Sequence, residues 1–170
     1  MRLLGLDPGL RKTGWGVIDV EGNRLRHVGD GAVCPDDAAP MSERLAQLYD
    51  GLCEIIKVWQ PDTAAVEDIF VNRNPGSTLK LGLARGVVLL APAKAGLDVA
   101  EYSTTLIKKS VVGTGHATKK QVGMMVATLL PGARPETEDA ADALAVAICH
   151  AHHRATRQRW ADGATKEARL

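Results

Sequence analysis

Aromatic side chains are scarce in this sequence, with one Phe, two Tyr and three Trp among 170 residues. A core must therefore be assembled from Val, Leu, Ile and Ala, and the lone Phe70 calls for its own explanation. Cysteine is also rare. Cys34, Cys53 and Cys149 show no paired spacing, which excludes a disulfide scaffold and suits a reducing compartment where thiols pack as small hydrophobes. Long apolar runs are missing: the longest, residues 86–93, is far shorter than a membrane span. The opening residues Met1 to Leu6 are interrupted by Asp7 and Pro8, too early for a secretory segment, so a cytoplasmic location is expected. Repeats and low-complexity tracts are absent. What remains, 45% apolar and 24% charged, is the composition of an ordinary globular chain.

The net charge of +1 hides an uneven distribution. Residues 1–69 hold 7 basic and 12 acidic side chains, whereas residues 70–125 hold 8 basic and 2 acidic. A fold that joins these segments would set carboxylates beside a cationic surface, as an enzyme that cuts a polyanion requires. On charge alone, solvated surface residues explain the pattern equally well.

Arg2 to Leu6 reads as a buried strand ending at the turn Asp7-Pro8-Gly9. Trp15 to Val20 and Leu25 to Val33 read as two more strands, joined through residues 21–24. Pro40 and Ser42 open a helix in which Leu45, Leu48, Leu52, Ile55, Ile56 and Trp59 recur at helical spacing, and Pro61 stops it. A strand from Thr63 to Val66, a helix over 77–95, a strand from Val99 to Tyr102 and helices over 103–111, 118–130 and 139 to about 153 complete the pattern. The order β-β-β-α-β-α-β-α-α-α predicts an α/β fold of ribonuclease H-like type, a mixed five-stranded sheet flanked by helices. One nuclease domain is expected over residues 1–153, and a polar, basic, mobile tail over 154–170.

Four acidic residues interrupt apolar surroundings. Asp7 follows Leu3-Leu4-Gly5-Leu6, and Glu67 follows Ala64-Ala65-Val66, each at a strand end. Asp139 and Asp142 stand i, i+3 on one face of the last helix. Carboxylates gathered in an apolar place repel one another and call for a cation. Phosphodiester hydrolysis needs a strong nucleophile and neutralised charge, which divalent ions held by such groups supply. Taken singly, Asp139 is also explained as a helix N-cap and Asp7 as a turn residue.

Gly5-Leu6-Asp7-Pro8-Gly9 with Thr13-Gly14-Trp15-Gly16, then Val66-Glu67-Asp68-Ile69-Phe70, then Asp139-Ala140-Ala141-Asp142-Ala143-Leu144-Ala145 resemble the RuvC family of Holliday junction resolvases. Leu79 to Gly86 and Lys108 to Gly115 are similar to further signatures of that family, and the likeness is collinear from about Arg2 to His153. The resemblance implies a homodimer that nicks a four-way DNA junction symmetrically with Mg2+, or with Mn2+ in its place, two ions being expected at each active site. It implies that Asp7, Glu67, Asp139 and Asp142 are the catalytic metal ligands. Lys108 and Lys119 match basic positions near the scissile phosphate, and Phe70 matches an aromatic that stacks on junction bases. Arg73, Lys80, Lys109 and Lys120 are expected to contact DNA beside them. Cooperation with the RuvA–RuvB branch-migration complex is implied as well.

The residues carry part of this by themselves. Phe70 lies in a polar stretch just after Glu67, where an aromatic can stack on a base for about 1–3 kcal/mol, although a core anchor closing the strand is the competing explanation. Lys119 and Lys120 open a helix whose N–H groups favour phosphate, or else form a solvated first turn. Gly82 and Gly86, among Leu79, Leu83, Val87 and Leu90, permit a close approach either by the sheet or by the same helix of a second subunit. His150, His152 and His153 are taken as ordinary cations at a helix C-terminus rather than as ligands. An actin-like or sugar-kinase ATP-binding fold would need a second phosphate loop that is not present in 170 residues. A ribonuclease H-like enzyme acting on RNA or another branched nucleic acid is the nearer alternative. A catalytically inactive DNA-binding dimer would have no use for four carboxylates.

Overall fold

The computed structural model describes residues 1–68 and 75–167, with side chains through Arg154 and at Thr156. The elements are β1 (Arg2–Asp7), β2 (Thr13–Glu21), β3 (Arg24–Val33), α1 (Met41–Trp59), β4 (Thr63–Asp68), α2 (Pro75–Lys94), β5 (Asp98–Ser103), α3 (Thr104–Val112), α4 (Lys119–Leu129) and α5 (Glu138–Glu167). This is the order expected from periodicity and turn residues. The strands form one sheet in the order β3-β2-β1-β4-β5. The β1–β2 and β2–β3 pairs are antiparallel, while β1–β4 and β4–β5 are parallel.

Period-two alternation divides the core between the sheet's two faces. Leu4, Leu6, Val17, Ala64 and Val66 pack with Leu48 and Leu52 of α1 and with Ala84 and Val88 of α2. Leu3, Ile18 and Ala65 pack on the other side with α3, α4 and α5. Local chemistry explains the element ends. Ser103 accepts from the Leu106 N–H at the start of α3, and Thr118 with Gln121 forms a complete capping box on α4. Gln60 takes a left-handed conformation (φ 47°) to close α1, and Pro61 prevents its continuation.

One boundary differs widely from expectation. The last helix does not end near His153 but runs to Glu167. Residues 154–162 include several good helix formers (Ala155, Arg157, Gln158, Ala161) and no proline, so their polar character did not mark a helix end.

Helix α5 lies against β1 and β2 at unusually short range, because those strands present glycine to it. A Cβ built on Gly5 would stand 2.2 Å from the Ala143 carbonyl oxygen, and one on Gly14 would stand 2.0 Å from that of Asp139. A Cβ on Gly16 would meet Leu144 Cδ2 at 2.7 Å. The helix backbone occupies the space that side chains would otherwise fill.

Candidate active site

Alternation aims the first two acids. Leu3, Gly5 and Asp7 share the β1 face turned to α5, and Ala65 and Glu67 share the same face of β4. The parallel register pairs Leu6 with Val66, so Asp7 and Glu67 come side by side one residue further on. Two carboxyls separated by sixty residues are thus neighbours because adjacent parallel strands end together.

Helix α5 brings the other two. Thr137 opens it, its Oγ1 accepting from the Ala140 N–H at 3.1 Å. Thr137 is therefore the cap, and Asp139 is a first-turn residue whose main chain rests on Gly14. Asp142, one turn along, reaches the cleft that Asp7, Glu67, Thr104, Lys108 and Lys119 also line, with a volume of about 260 Å³. Asp139 lines the adjoining groove of about 460 Å³ with Arg11, Lys12 and Lys80. It stays close enough to Asp7 to act on its charge.

The electrostatics are those of crowded acids. Burial pushes the Asp7 carboxyl up to about 8, and the charges of Glu67, Asp142 and Asp139 push the same way. Asp7 shares a hydrogen bond with Glu67 that favours the proton on Asp7. Glu67 is also raised, chiefly by burial, against a hydrogen bond donated by Thr104 Oγ1 to its Oε1 at 2.5 Å. The turn after β1 does not use Asp7. Thr13 Oγ1 donates to the Gly9 carbonyl at 2.7 Å and accepts from the Gly9 N–H at 3.3 Å, which leaves the Asp7 side chain to the cleft.

Lys119 Nζ lies 3.1 Å from Asp142 Oδ2 and 3.5 Å from Glu138 Oε2, contacts that hold the ammonium above the usual lysine range. It is no solvated bystander, though its side chain remains largely exposed. Lys108 is half-buried at the same cleft, and Lys120 is exposed beside Lys119 at the start of α4. Lys109 is not brought to the carboxylates. It lines a separate hollow with Ser110, His152 and His153, one helical step around α3 from Lys108. Phe70 and Arg73 lie outside the described residues.

Among the described residues, no three His, Cys, Asp or Glu side chains form a ready-made metal cage. The donor set nonetheless fits a hard divalent cation. It is all oxygen, and such an ion takes one or two carboxylates and keeps much of its water. The raised Asp7 records burial first and repulsion second, and a cation would offset both.

One expectation needs correction and one open choice is narrowed. Gly82 and Gly86 do not admit the sheet, because a Cβ at either position meets nothing within 4 Å among the described residues. They lie on an open face of α2 with Leu79 (68% exposed), Leu83 (41%) and Leu90 (50%). The histidines are not at a helix C-terminus, since α5 continues past them. His150 is buried, its Nδ1 bonded to Tyr102 OH at 2.9 Å and its Nε2 to Thr63 Oγ1 at 3.2 Å, while His153 stacks on Tyr102. Thr104 and the glycines facing α5 were not singled out from the residues. The signal for the glycines was Gly14 and Gly16 at i, i+2 on one face of a strand, opposite small residues of an alanine-rich helix.

Comparison with known proteins identifies the family. Residues 3–150 match the family described as "Crossover junction endodeoxyribonuclease RuvC". The chain is 68% identical over 161 residues to the protein of that name from Paramagnetospirillum magneticum, covering 95% of this chain and 97% of the relative. It is 67% identical over 155 residues to that of Rhodospirillum rubrum, covering 91% and 92%. In three dimensions it is similar to "T. thermophilus RuvC in complex with Holliday junction substrate", with a TM-score of 0.86 at 33% identity over 92% of this chain and 96% of that one. On its strand-end acids, its ribonuclease H-like sheet and these matches, the chain belongs to the RuvC family of crossover junction endodeoxyribonucleases.

Proposed function

We propose that this chain resolves four-way DNA junctions by paired, symmetric, metal-dependent nicks, in homologous recombination and DNA repair. The observation that carries the site assignment is the meeting of Asp7, Glu67 and Asp142 in one cleft, with Asp139 at its edge. Asp7, Glu67, Asp139 and Asp142 would hold the metal, which we take to be Mg2+, with Mn2+ able to substitute, at two ions per site. When bound, such ions lower the pKa of a coordinated water and neutralise charge on the phosphate.

The chain's own residues supply the rest. Asp7 and Glu67 sit on rigid strand ends, so the scissile phosphate is met by groups that need not reorganise. Thr104 holds one Glu67 oxygen and so orients its carboxylate. Lys119 and Lys108 add positive charge at the cleft mouth, where a phosphate would replace Asp142 as the partner of the Lys119 ammonium. Lys80 borders the adjoining groove, and Lys120 extends the basic rim. Phe70, Arg73 and Lys109 are kept as DNA contacts on the resemblance alone.

The exposed face of Leu79, Gly82, Leu83 and Gly86 supports a homodimer through α2, with two equivalent clefts on a twofold-symmetric junction. Family membership supports a cytoplasmic setting and cooperation with RuvA–RuvB. No helix among the described residues is long and apolar enough to cross a membrane. The test compares a four-way junction, a linear duplex and an RNA–DNA hybrid, each with and without Mg2+. Paired nicks in the junction alone are expected, and preferential cutting of the hybrid would favour the RNA-directed alternative.

A further inference from the structure

Alternation sends Glu67 to one face of β4 and Asp68 to the other. On that second face, Arg85 of α2 reaches the strand end. Its Nη2 lies 3.1 Å from Asp68 Oδ1 and also bonds Glu101 Oε2 of β5. In the parallel register Val66 is opposite Glu101, Glu67 opposite Tyr102 and Asp68 opposite Ser103. One guanidinium therefore spans the ends of two neighbouring strands, directly behind the carboxylate that faces the cleft. Its Nε is buried and has no hydrogen-bond acceptor among the described residues.

Helix α2 turns Gly82, Leu83 and Gly86 outward, and Arg85 lies between them in sequence but points back to the sheet. We propose that Arg85 is a positioning residue for Glu67, fixing the end of β4 to α2 and thereby linking the cleft to the helix that would pair with a second subunit. The positioning role rests on the nuclease reading of the cleft, and the link to a second subunit rests on the homodimer reading. Neither depends on which ion is bound. Arg85 does not touch the reacting groups. It acts through the strand, so its loss should spare binding and impair chemistry.

The experiment uses the full-length protein with Arg85→Met and Arg85→Lys. Wild-type cleavage and dimerisation are established first, so that failure of the underlying reading shows in the wild type alone. For Arg85→Met we expect junction affinity measured in EDTA to be unchanged and single-turnover cleavage to fall about tenfold or more. The Mg2+-induced rise in melting temperature should shrink, and Arg85→Lys should restore part of both effects. A melting temperature that falls while cleavage rate and Mg2+ response stay at wild-type values would mark Arg85 as merely structural and overturn the proposal. A loss confined to junction affinity would overturn it too. Should Arg85→Met fail to fold, Arg85→Lys and Glu101→Gln decide. Slower cleavage with intact affinity in either supports the assignment, and wild-type rates in both reject it.

Discussion

Glycines do opposite work in two regions of this protein. In β1 and β2 the spaces beside Gly5, Gly14 and Gly16 are filled by α5, whose backbone rests where a Cβ would be. Along α2 the spaces beside Gly82 and Gly86 hold no atom of the described residues. The first group is satisfied within one chain and sets the depth of the helix that carries Asp139 and Asp142. The second leaves an apolar face bare among the described residues. Small residues thus permit close approach in both places, but only the tertiary structure says what approaches.

The contrast can be tested at the filled sites first, where the largest effects are expected. Asp7→Asn should abolish junction cleavage while keeping binding, because the basic rim remains when the ligand set fails. The same change should stabilise the metal-free protein. Asp7 is raised to about 8 in the folded chain from 3.8, so the folded state holds the proton more tightly between those values. Wild-type stability in EDTA should therefore fall as pH rises from about 4 to about 8 and level off above. Denaturant melts at pH 5 and pH 8 should show Asp7→Asn gaining more than about 1 kcal/mol over wild type at the higher pH, with a smaller gap at the lower. An equal gap at both pH values would reject the crowded-acid account.

Gly14→Ala is next. Its Cβ would stand 2.0 Å from a main-chain oxygen, and backbone cannot swing aside as a side chain can. A loss of about 1–3 kcal/mol is expected, with greatly reduced cleavage as Asp139 is displaced. Denaturant melts and single-turnover rates measure both. Wild-type stability in Gly14→Ala would mean that α5 does not rest on β2 as described.

Tyr102→Phe probes the middle of the same helix. It removes the hydroxyl bonded to buried His150, which ties α5 to β5, and should cost about 1–3 kcal/mol in denaturant melts. Cleavage should change little, since this network lies outside the carboxylate cleft.

The smallest effect on folding is expected at the open sites. Gly86→Ala meets no atom of the described residues within 4 Å, and alanine is a better helix former by about 1 kcal/mol. Stability of the single chain should hold or rise slightly, while sedimentation equilibrium should show a weaker dimer. Unchanged association for both Gly86→Ala and Gly82→Ala would remove this face as the subunit contact.

Much of the frame was legible along the chain. The order of ten elements followed from apolar period and from stops such as Pro61, and most boundaries fell within two residues. The acids were legible as interruptions, Asp7 after four residues of β1 core and Glu67 after Ala64-Ala65-Val66. Less legible was the end of α5. A polar, basic stretch reads as a tail unless it is seen to continue a helix already begun, and α5 runs on to Glu167 even through the breaker Gly163. His150 was misread for the same reason: placed at an imagined helix end it was a surface cation, whereas in mid-helix it faces Thr63 and Tyr102. Lys108 and Lys109 were indistinguishable as neighbours in sequence. A turn of about 100° per residue sent one to the cleft and the other to a different hollow.

The amino-acid order alone was enough for the strands, the order and starts of the helices and the face on which each acid lies, because these depend on contacts within a few residues and on periods of 2 and 3.6. How close α5 comes to the sheet, which lysine reaches the cleft and which glycines stay uncovered were settled by packing. Those outcomes join residues more than a hundred positions apart, and steric fit between surfaces has no signature in any one segment. Asp142 acts on the charge of Asp7 because Gly5 and Gly14 leave room for a helix that begins at residue 138.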